Sequence, residues 1–134
     1  MLILFGAICA AINSATLQGI PMKNISELIT EFTESRNARG RSERTIEWYT
    51  QQLNAYASYV ARTDADAYEP ETIEAFMVFE RRNGISDSTV HARYRALRAF
   101  FKWLGKRTRR NKESFDNPVE YIDSPNVSKK KPKV

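Results

Sequence analysis

The chain has 134 residues with a formal net charge of +5, and 42% of its residues are hydrophobic. That length fits one domain with short tails, and the hydrophobic share is sufficient for a packed core. The single cysteine, Cys9, permits no disulfide within the chain, and with the only histidine, His91, it cannot build a zinc site. A reducing compartment is therefore expected. The positive charge favours a polyanionic partner.

Residues 1–23 form an N-terminal extension that has three possible interpretations. Residues 1–12 are almost all apolar, but a transmembrane helix needs about 20 such residues. The segment resembles a signal-peptide core without its basic start or cleavage site. It can also be a short helix that covers the domain, or an extension ahead of a natural start at Met22. We expect residues 1–21 to be dispensable for function.

Two helices are predicted next. The first runs from Ile25 or Ser26 to Arg39, with Gly40 following its end, and the second runs from Ser42 to about Arg62. Their apolar residues recur at helical spacing: Ile25, Leu28, Ile29 and Phe32, then Ile46, Tyr49, Leu53, Tyr56, Ala57 and Val60. On the opposite face of the second helix, Trp48 and Tyr59 can stack on nucleotides or cover a small core.

The third and fourth helices follow a polar, acidic connection at 63–68. Pro70 suits the first turn of the third helix, which is predicted to end near Arg82 with Ile73, Phe76, Met77 and Glu80 inward. Ser86 is the predicted N-cap of the fourth helix and Gly105 its C-cap residue. Its packing face comprises Val90, Tyr94, Leu97, Phe101 and Leu104. Beyond Gly105 we expect a basic loop, then a short turn that packs Val119 and Ile122 against the bundle.

The fourth helix also has a basic face. His91, Arg95, Arg98 and Lys102 share this face, and Lys106 lies beyond it. A solvated helix usually alternates acids with its bases, but no acidic residue lies between Thr89 and Arg110. The pattern therefore predicts a surface of unpaired cations that binds an anion.

Motifs of catalysis are absent from the sequence. It has no glycine-rich phosphate loop, no metal-binding His/Glu helix and no nucleophile elbow. Asp64 and Asp66 lie in a connection where solvation explains them. We predict an all-α, compact four-helix orthogonal bundle that acts as a binding module, with no cofactor, metal or small-molecule ligand.

An ordered set of residues resembles a known family. It comprises Ser42, Thr45, Tyr49, Leu53 and Tyr56, then Pro70 to Ile73, Gly84 to Val90, Ala96 to Leu104, Asn117-Pro118 and a Lys-rich end with Pro132. This set is similar to the N-terminal core-binding (SAM-like) domain of tyrosine recombinases, the phage-integrase and Xer-type enzymes. The resemblance covers about residues 24–133 and implies a domain, 24–122, that clamps double-stranded DNA at a recombination half-site, followed by a basic linker, 123–134.

The resemblance also implies which residues contact DNA. Together with the basic face, the candidates are Arg41, Ser42, Arg44, Thr45, Ser86, Ser88, Thr89, His91, Arg95, Arg98, Lys102, Lys106, Arg107 and Arg109. The family's catalytic Arg, Lys, His-x-x-Arg and Tyr belong to a domain that would begin where this chain stops, so we expect no DNA cleavage. In the full-length protein, recombinase protomers are expected as partners. The expected location is the cytoplasm, at the nucleoid, and no membrane is expected as a partner.

Two other functions remain open. One is a different helical DNA-binding regulator with a helix-turn-helix, although the fourth helix is longer than a usual recognition helix. The other is a protein-interaction bundle whose basic tail solubilises it. Salt dependence separates these classes, because binding to DNA phosphates weakens steeply with salt and an apolar interface does not.

Overall fold

The computed structural model describes residues 24–111 and 115–125. Within them lie four α-helices, α1 (Ile25–Ala38), α2 (Glu43–Thr63), α3 (Pro70–Arg82) and α4 (Asp87–Arg110), followed by a 3₁₀ turn (Pro118–Tyr121). No strand occurs in this part of the chain. The predicted all-α bundle of four helices is therefore confirmed. The predictions about residues 1–23 and about most of the basic linker concern residues outside the described ranges.

The helix starts follow from local capping. The Asn24 side chain accepts the Ser26 N–H at 3.0 Å ahead of α1, and Ser86 caps α4 as predicted. Ser42, predicted as the first residue of the second helix, is the N-cap of α2. Gly40 and Gly84 adopt positive φ angles of 77° and 85° just after α1 and α3, a conformation that glycine adopts without strain. The loops between α1 and α2 and between α3 and α4 are thus explained by residues within a few positions of each helix end.

Helices α2 and α4 form the centre of the bundle, since each contacts the other three helices. The largest fully buried side chains come from all four helices: Phe32, Leu53, Tyr56, Ile73, Phe76, Leu97, Phe100 and Phe101. Phe32 packs edge-on against Tyr49, Phe100 and Trp103, with ring centroids 5.1–5.7 Å apart. Every residue predicted for the packing face of α4 is buried.

The prediction that α4 ends at Gly105 is wrong. The helix continues to Arg110, so Lys106 to Arg110, which were expected in a basic loop, are helical. Glycine in a helix costs only about 1 kcal/mol relative to alanine, and no proline follows to prevent the next turn. Beyond it, Thr108 is buried and donates to the Gly105 carbonyl oxygen at 3.0 Å. Helix α4 packs against the 3₁₀ turn, and Val119 in that turn and Ile122 just after it are buried as predicted.

A polar network joins three helices inside the bundle. The Arg93 Nε of α4 donates to the Glu80 carboxylate of α3, and Arg93 Nη1 donates to the Gln52 side-chain oxygen of α2 at 2.7 Å. Glu80 and Gln52 are both 8% exposed. Because buried charges must be paired and hydrogen-bonded, this network holds α4 at a defined position against α2 and α3.

Candidate nucleic-acid interface

The outward face of α4 presents cations. Arg95, Arg98 and Lys102 are exposed, and His91 is half-buried beside Tyr94, with the ring centroids 6.3 Å apart. None of the three cations is ion-paired within the described residues. Since the opposite face of the helix is buried, the geometry matches the amphipathic pattern on which the prediction rested.

Helix α2 contributes an aromatic ring to this face. Trp48 is half-buried, and the guanidinium carbon of Arg95 lies 5.3 Å from the centroid of its ring. Such a cation–π contact contributes about 0.5–1 kcal/mol at an exposed site. Because stacking uses the flat face of the guanidinium, the N–H groups at its edge stay available for an anion. Tyr59 was the other aromatic residue predicted either to stack on nucleotides or to cover the core. Its ring lies against Phe76 and Phe79, so it covers the core.

Helices α2 and α4 begin with the same cap. The Ser42 Oγ accepts the Thr45 N–H at 3.2 Å, and the Ser86 Oγ accepts the Thr89 N–H at 3.3 Å. Each serine Oγ also lies 3.0 Å from the Oγ1 of its threonine. The hydroxyls therefore already have partners in the fold. In α2 the N–H groups of the two residues before Thr45 have none among the described residues, which leaves a helix N-terminus suited to a phosphate.

A groove of about 840 Å³ lies between α1 and the second half of α4. Its charged lining consists of Arg36, Arg39, Lys102, Lys106, Arg107 and Arg110 with the carboxylates of Glu31 and Glu34. Glu31 and Arg107 form an ion pair, and the Arg107 guanidinium carbon lies 5.4 Å from the Trp103 ring centroid. The other cations of the lining are not ion-paired with any described residue. The groove is consequently a region of positive potential.

On its other side, α4 faces the 3₁₀ turn across a depression of about 690 Å³. Arg98 and Arg109 line it beside Asp116 and Glu120, and Lys102 and Lys106 border both depressions. The basic residues of α4 therefore divide between two sides of the helix, and only the α1 side is strongly cationic.

Within residues 24–111 and 115–125, no three His, Cys, Asp or Glu side chains are grouped to hold a metal ion. In the same ranges, no helix is both long and apolar enough to cross a membrane.

Comparison with known proteins fits this architecture. Residues 29–108 match the family model for the phage integrase, N-terminal SAM-like domain. The chain belongs to this family. No solved structure matches the chain at a significant level.

Several curated relatives of this SAM-like domain are similar over most of the chain. Over 100 residues the chain is 34% identical to tyrosine recombinase XerD of Listeria innocua. This match covers 72% of the chain and 32% of that protein. It is 27% identical over 112 residues to tyrosine recombinase XerA of Thermococcus kodakarensis, covering 84% and 35%. Tyrosine recombinase XerC of Xylella fastidiosa is 25% identical over 114 residues, covering 82% and 37%. The chain thus spans about a third of the length of these relatives.

The predicted site residues of this SAM-like domain fall into separate groups. Lys102, Lys106 and Arg107 line the α1–α4 groove, Arg98 and Arg109 lie toward the 3₁₀ turn, and the two cap segments lie at the starts of α2 and α4. Two cations of α4 are ion-paired with acids from other helices: Arg107, a predicted site residue, pairs with Glu31 of α1, and Arg93, which was not placed on the basic face, pairs with Glu80 of α3. A partner on another helix has no signature in the sequence of α4 itself.

Sequence reasoning did not select Arg36, Arg39 or Arg110, although all three line the groove. Arg36 lies in the last turn of α1 and Arg39 is its C-cap residue, a spacing of three that places both on one side of a helix. That spacing was available as a signal.

Proposed function

We propose that this domain binds double-stranded DNA as the core-site-binding domain of a tyrosine recombinase. The relatives that share the domain are tyrosine recombinases by name. The observation that supports DNA as the ligand is the outward face of α4, where Arg95, Arg98 and Lys102 are exposed and not ion-paired with any described residue. A row of cations on an exposed helix neutralises phosphates and releases their counterions.

The proposed contact uses two kinds of group. The N-terminus of α2, where Arg41 and Arg44 are exposed, would bind a backbone phosphate through free N–H groups and the positive end of the helix dipole. Arg95 and Arg98 would reach base edges or phosphates from α4. Arginine suits either, because its planar fork can donate two parallel hydrogen bonds.

We further propose that these residues hold DNA without breaking it. The one histidine, His91, is half-buried against Tyr94, and the Tyr56 hydroxyl is buried and donates to the Ala67 carbonyl oxygen at 2.6 Å. Burial and the nearby Asp66 charge raise the pKa of Tyr56, which disfavours a nucleophilic phenolate. In this proposal strand cleavage belongs to a catalytic domain of the parent recombinase.

The test is a salt series of duplex binding with the double variant Arg95→Ala/Arg98→Ala. We expect wild-type binding to fall with a log–log slope of about −0.9 for each phosphate neutralised. Loss of a bidentate base contact should weaken affinity by about 1–3 kcal/mol. The matched control is Arg62→Ala/Arg82→Ala, which removes the same charge from the last turns of α2 and α3.

Wild-type affinity in the Arg95→Ala/Arg98→Ala protein would refute the assignment of α4, and so would an equal loss of affinity in that variant and in the control. If the wild-type protein showed no salt-dependent binding to any duplex, DNA binding itself would be refuted.

A further inference from the structure

One wall of the α1–α4 groove has no role in the contact proposed above. Its α4 wall contains residues already assigned to DNA, but its α1 wall presents Arg36 and Arg39. Both lie in or just after the last turn of α1 and lead directly into the loop before α2. Two arginines of α1 therefore lie opposite two lysines of α4, Lys102 and Lys106.

Arg36 is held in an unusual environment. Its guanidinium carbon lies 5.0 Å from the centroid of the Phe32 ring, and its Nε is buried without a hydrogen-bond partner. Burial, followed by the nearby positive charge of Arg39, lowers the pKa of Arg36. Partial desolvation and like charges both make the free cation less favourable. A bound anion would offset both effects.

The α4 wall faces it with a regular row of cations. Lys102, Lys106 and Arg110 are four residues apart, so they follow one side of the helix over about 12 Å. They make no ion pair with any described residue. Of the two carboxylates in the groove, Glu31 is paired with Arg107. The groove therefore suits a ligand with several negative charges in a line better than a single small anion.

Whether the groove can bind bases or only phosphates depends on whether its aromatic ring has an exposed face. Trp103 lines it, but Arg107 covers this ring and Phe32 and Phe100 pack against it, with centroids 5.6 and 6.0 Å away. Binding of single strands relies on exposed ring faces on which bases stack. Because the Trp103 ring is already covered, the cations of the groove can contact phosphates, but the groove offers no ring face to bases.

We propose that the α1–α4 groove binds successive backbone phosphates of one strand of duplex DNA, with Arg36 and Arg39 as phosphate-binding residues. This deepens the proposed function and rests on it. Continuity supports the choice of DNA over an acidic protein, because Arg95 lies one helical turn before Ala99, which lines the groove. A strand bound along α4 at Arg95 would pass into the groove.

The test compares two double variants of the full 134-residue chain. Arg36→Gln/Arg39→Gln removes two charges from the groove, and Arg62→Gln/Arg82→Gln removes two charges elsewhere. The control is matched in detail, because the Arg62 guanidinium carbon also lies 5.0 Å from a phenylalanine centroid, that of Phe79. Duplex affinity is measured from low to high salt on several unrelated sequences.

We expect the groove variant to lose about 1.8 units of log–log salt slope, 0.9 for each of two phosphates, equally on every sequence. The control should retain the wild-type slope. If Arg36→Gln prevents folding, as judged by its melting curve, Arg39→Gln/Lys106→Gln takes its place, since both of these side chains are exposed. An unchanged slope in the folded groove variant would overturn the proposal.

Two further outcomes separate the proposals. If wild-type protein binds duplex and Arg95→Ala/Arg98→Ala weakens it, while the groove variant matches its control, the groove assignment fails and DNA binding stands. If polyglutamate binds the wild-type chain and loses affinity in the groove variant, whose duplex binding is unchanged, the groove is a site for an acidic protein and the proposal is overturned.

Discussion

The buried network around Arg93 gives the sharpest test of how this bundle is held together. The Glu80 and Arg93 side chains are only 11% and 15% exposed, so the ion pair between them is poorly hydrated. Replacing Arg93 with Met leaves the Glu80 carboxylate buried without its cation and the Gln52 side-chain oxygen without its donor. Removing one partner of a buried pair typically destabilises a protein by about 3–5 kcal/mol.

For a domain of this size that loss is large. Each 1 kcal/mol shifts the melting temperature by about 4–8 °C in a domain of 60–100 residues. We therefore expect Arg93→Met to melt roughly 12–24 °C below the wild-type protein if the loss is about 3 kcal/mol. Urea denaturation at constant pH measures the same change as a lower transition midpoint.

A double-mutant cycle shows whether the charge or the packing is responsible. The double variant Glu80→Leu/Arg93→Met has no buried charge, and replacing a buried pair with apolar side chains is often neutral or stabilising. It should recover most of the stability lost in Arg93→Met. If Arg93→Met melts like the wild-type protein, or if the double variant is no more stable than Arg93→Met, the reasoning from an uncompensated buried carboxylate is wrong.

Four further predictions concern single positions and can be measured by thermal or urea unfolding. Gly105→Ala should stabilise the protein by about 0.5–1 kcal/mol, because alanine is less costly than glycine inside a helix and the new Cβ would fit, at 3.6 Å from Phe115. Gly84→Ala should instead destabilise the protein, because its φ of +85° is strained for alanine. Leu97→Ala should cost about 2–5 kcal/mol, and an unchanged melting temperature would contradict its full burial. Burial and then the Asp66 charge raise the pKa of Tyr68 to about 12. The folded state therefore retains a proton that the unfolded state loses near pH 10, so stability should fall between about pH 10 and 12, and less so in Tyr68→Phe.

The elements that sequence reasoning predicted correctly depend on neighbours within one or two helical turns. Ser42 and Ser86 cap helices because a serine oxygen reaches an N–H three residues later, and the buried stripe of α4 follows from helical spacing. Glycines at 40 and 84 end their segments for an equally local reason. These features alone define four helices and the inward face of each.

The errors concern interactions between residues distant in sequence. Gly105 has the residue type of a C-cap, but the helix continues through it to Arg110, and Phe115, ten residues on, lies beside it. A cationic partner for Glu80 could have been inferred from the sequence, because Glu80 was predicted to face inward and a buried carboxylate needs a cation. Which cation it would be was not a property of either helix alone.

The candidate site divides along the same line. The sequence alone determines that α4 has a cationic face and that α2 and α4 start at serines, because both depend on spacing within a helix. Only the tertiary structure brings Arg36 and Arg39 of α1 opposite Lys102 and Lys106, and only it pairs Arg107 with Glu31. The physical reason is range: capping and periodicity act within one or two turns of a helix, whereas a groove exists only once two helices have packed.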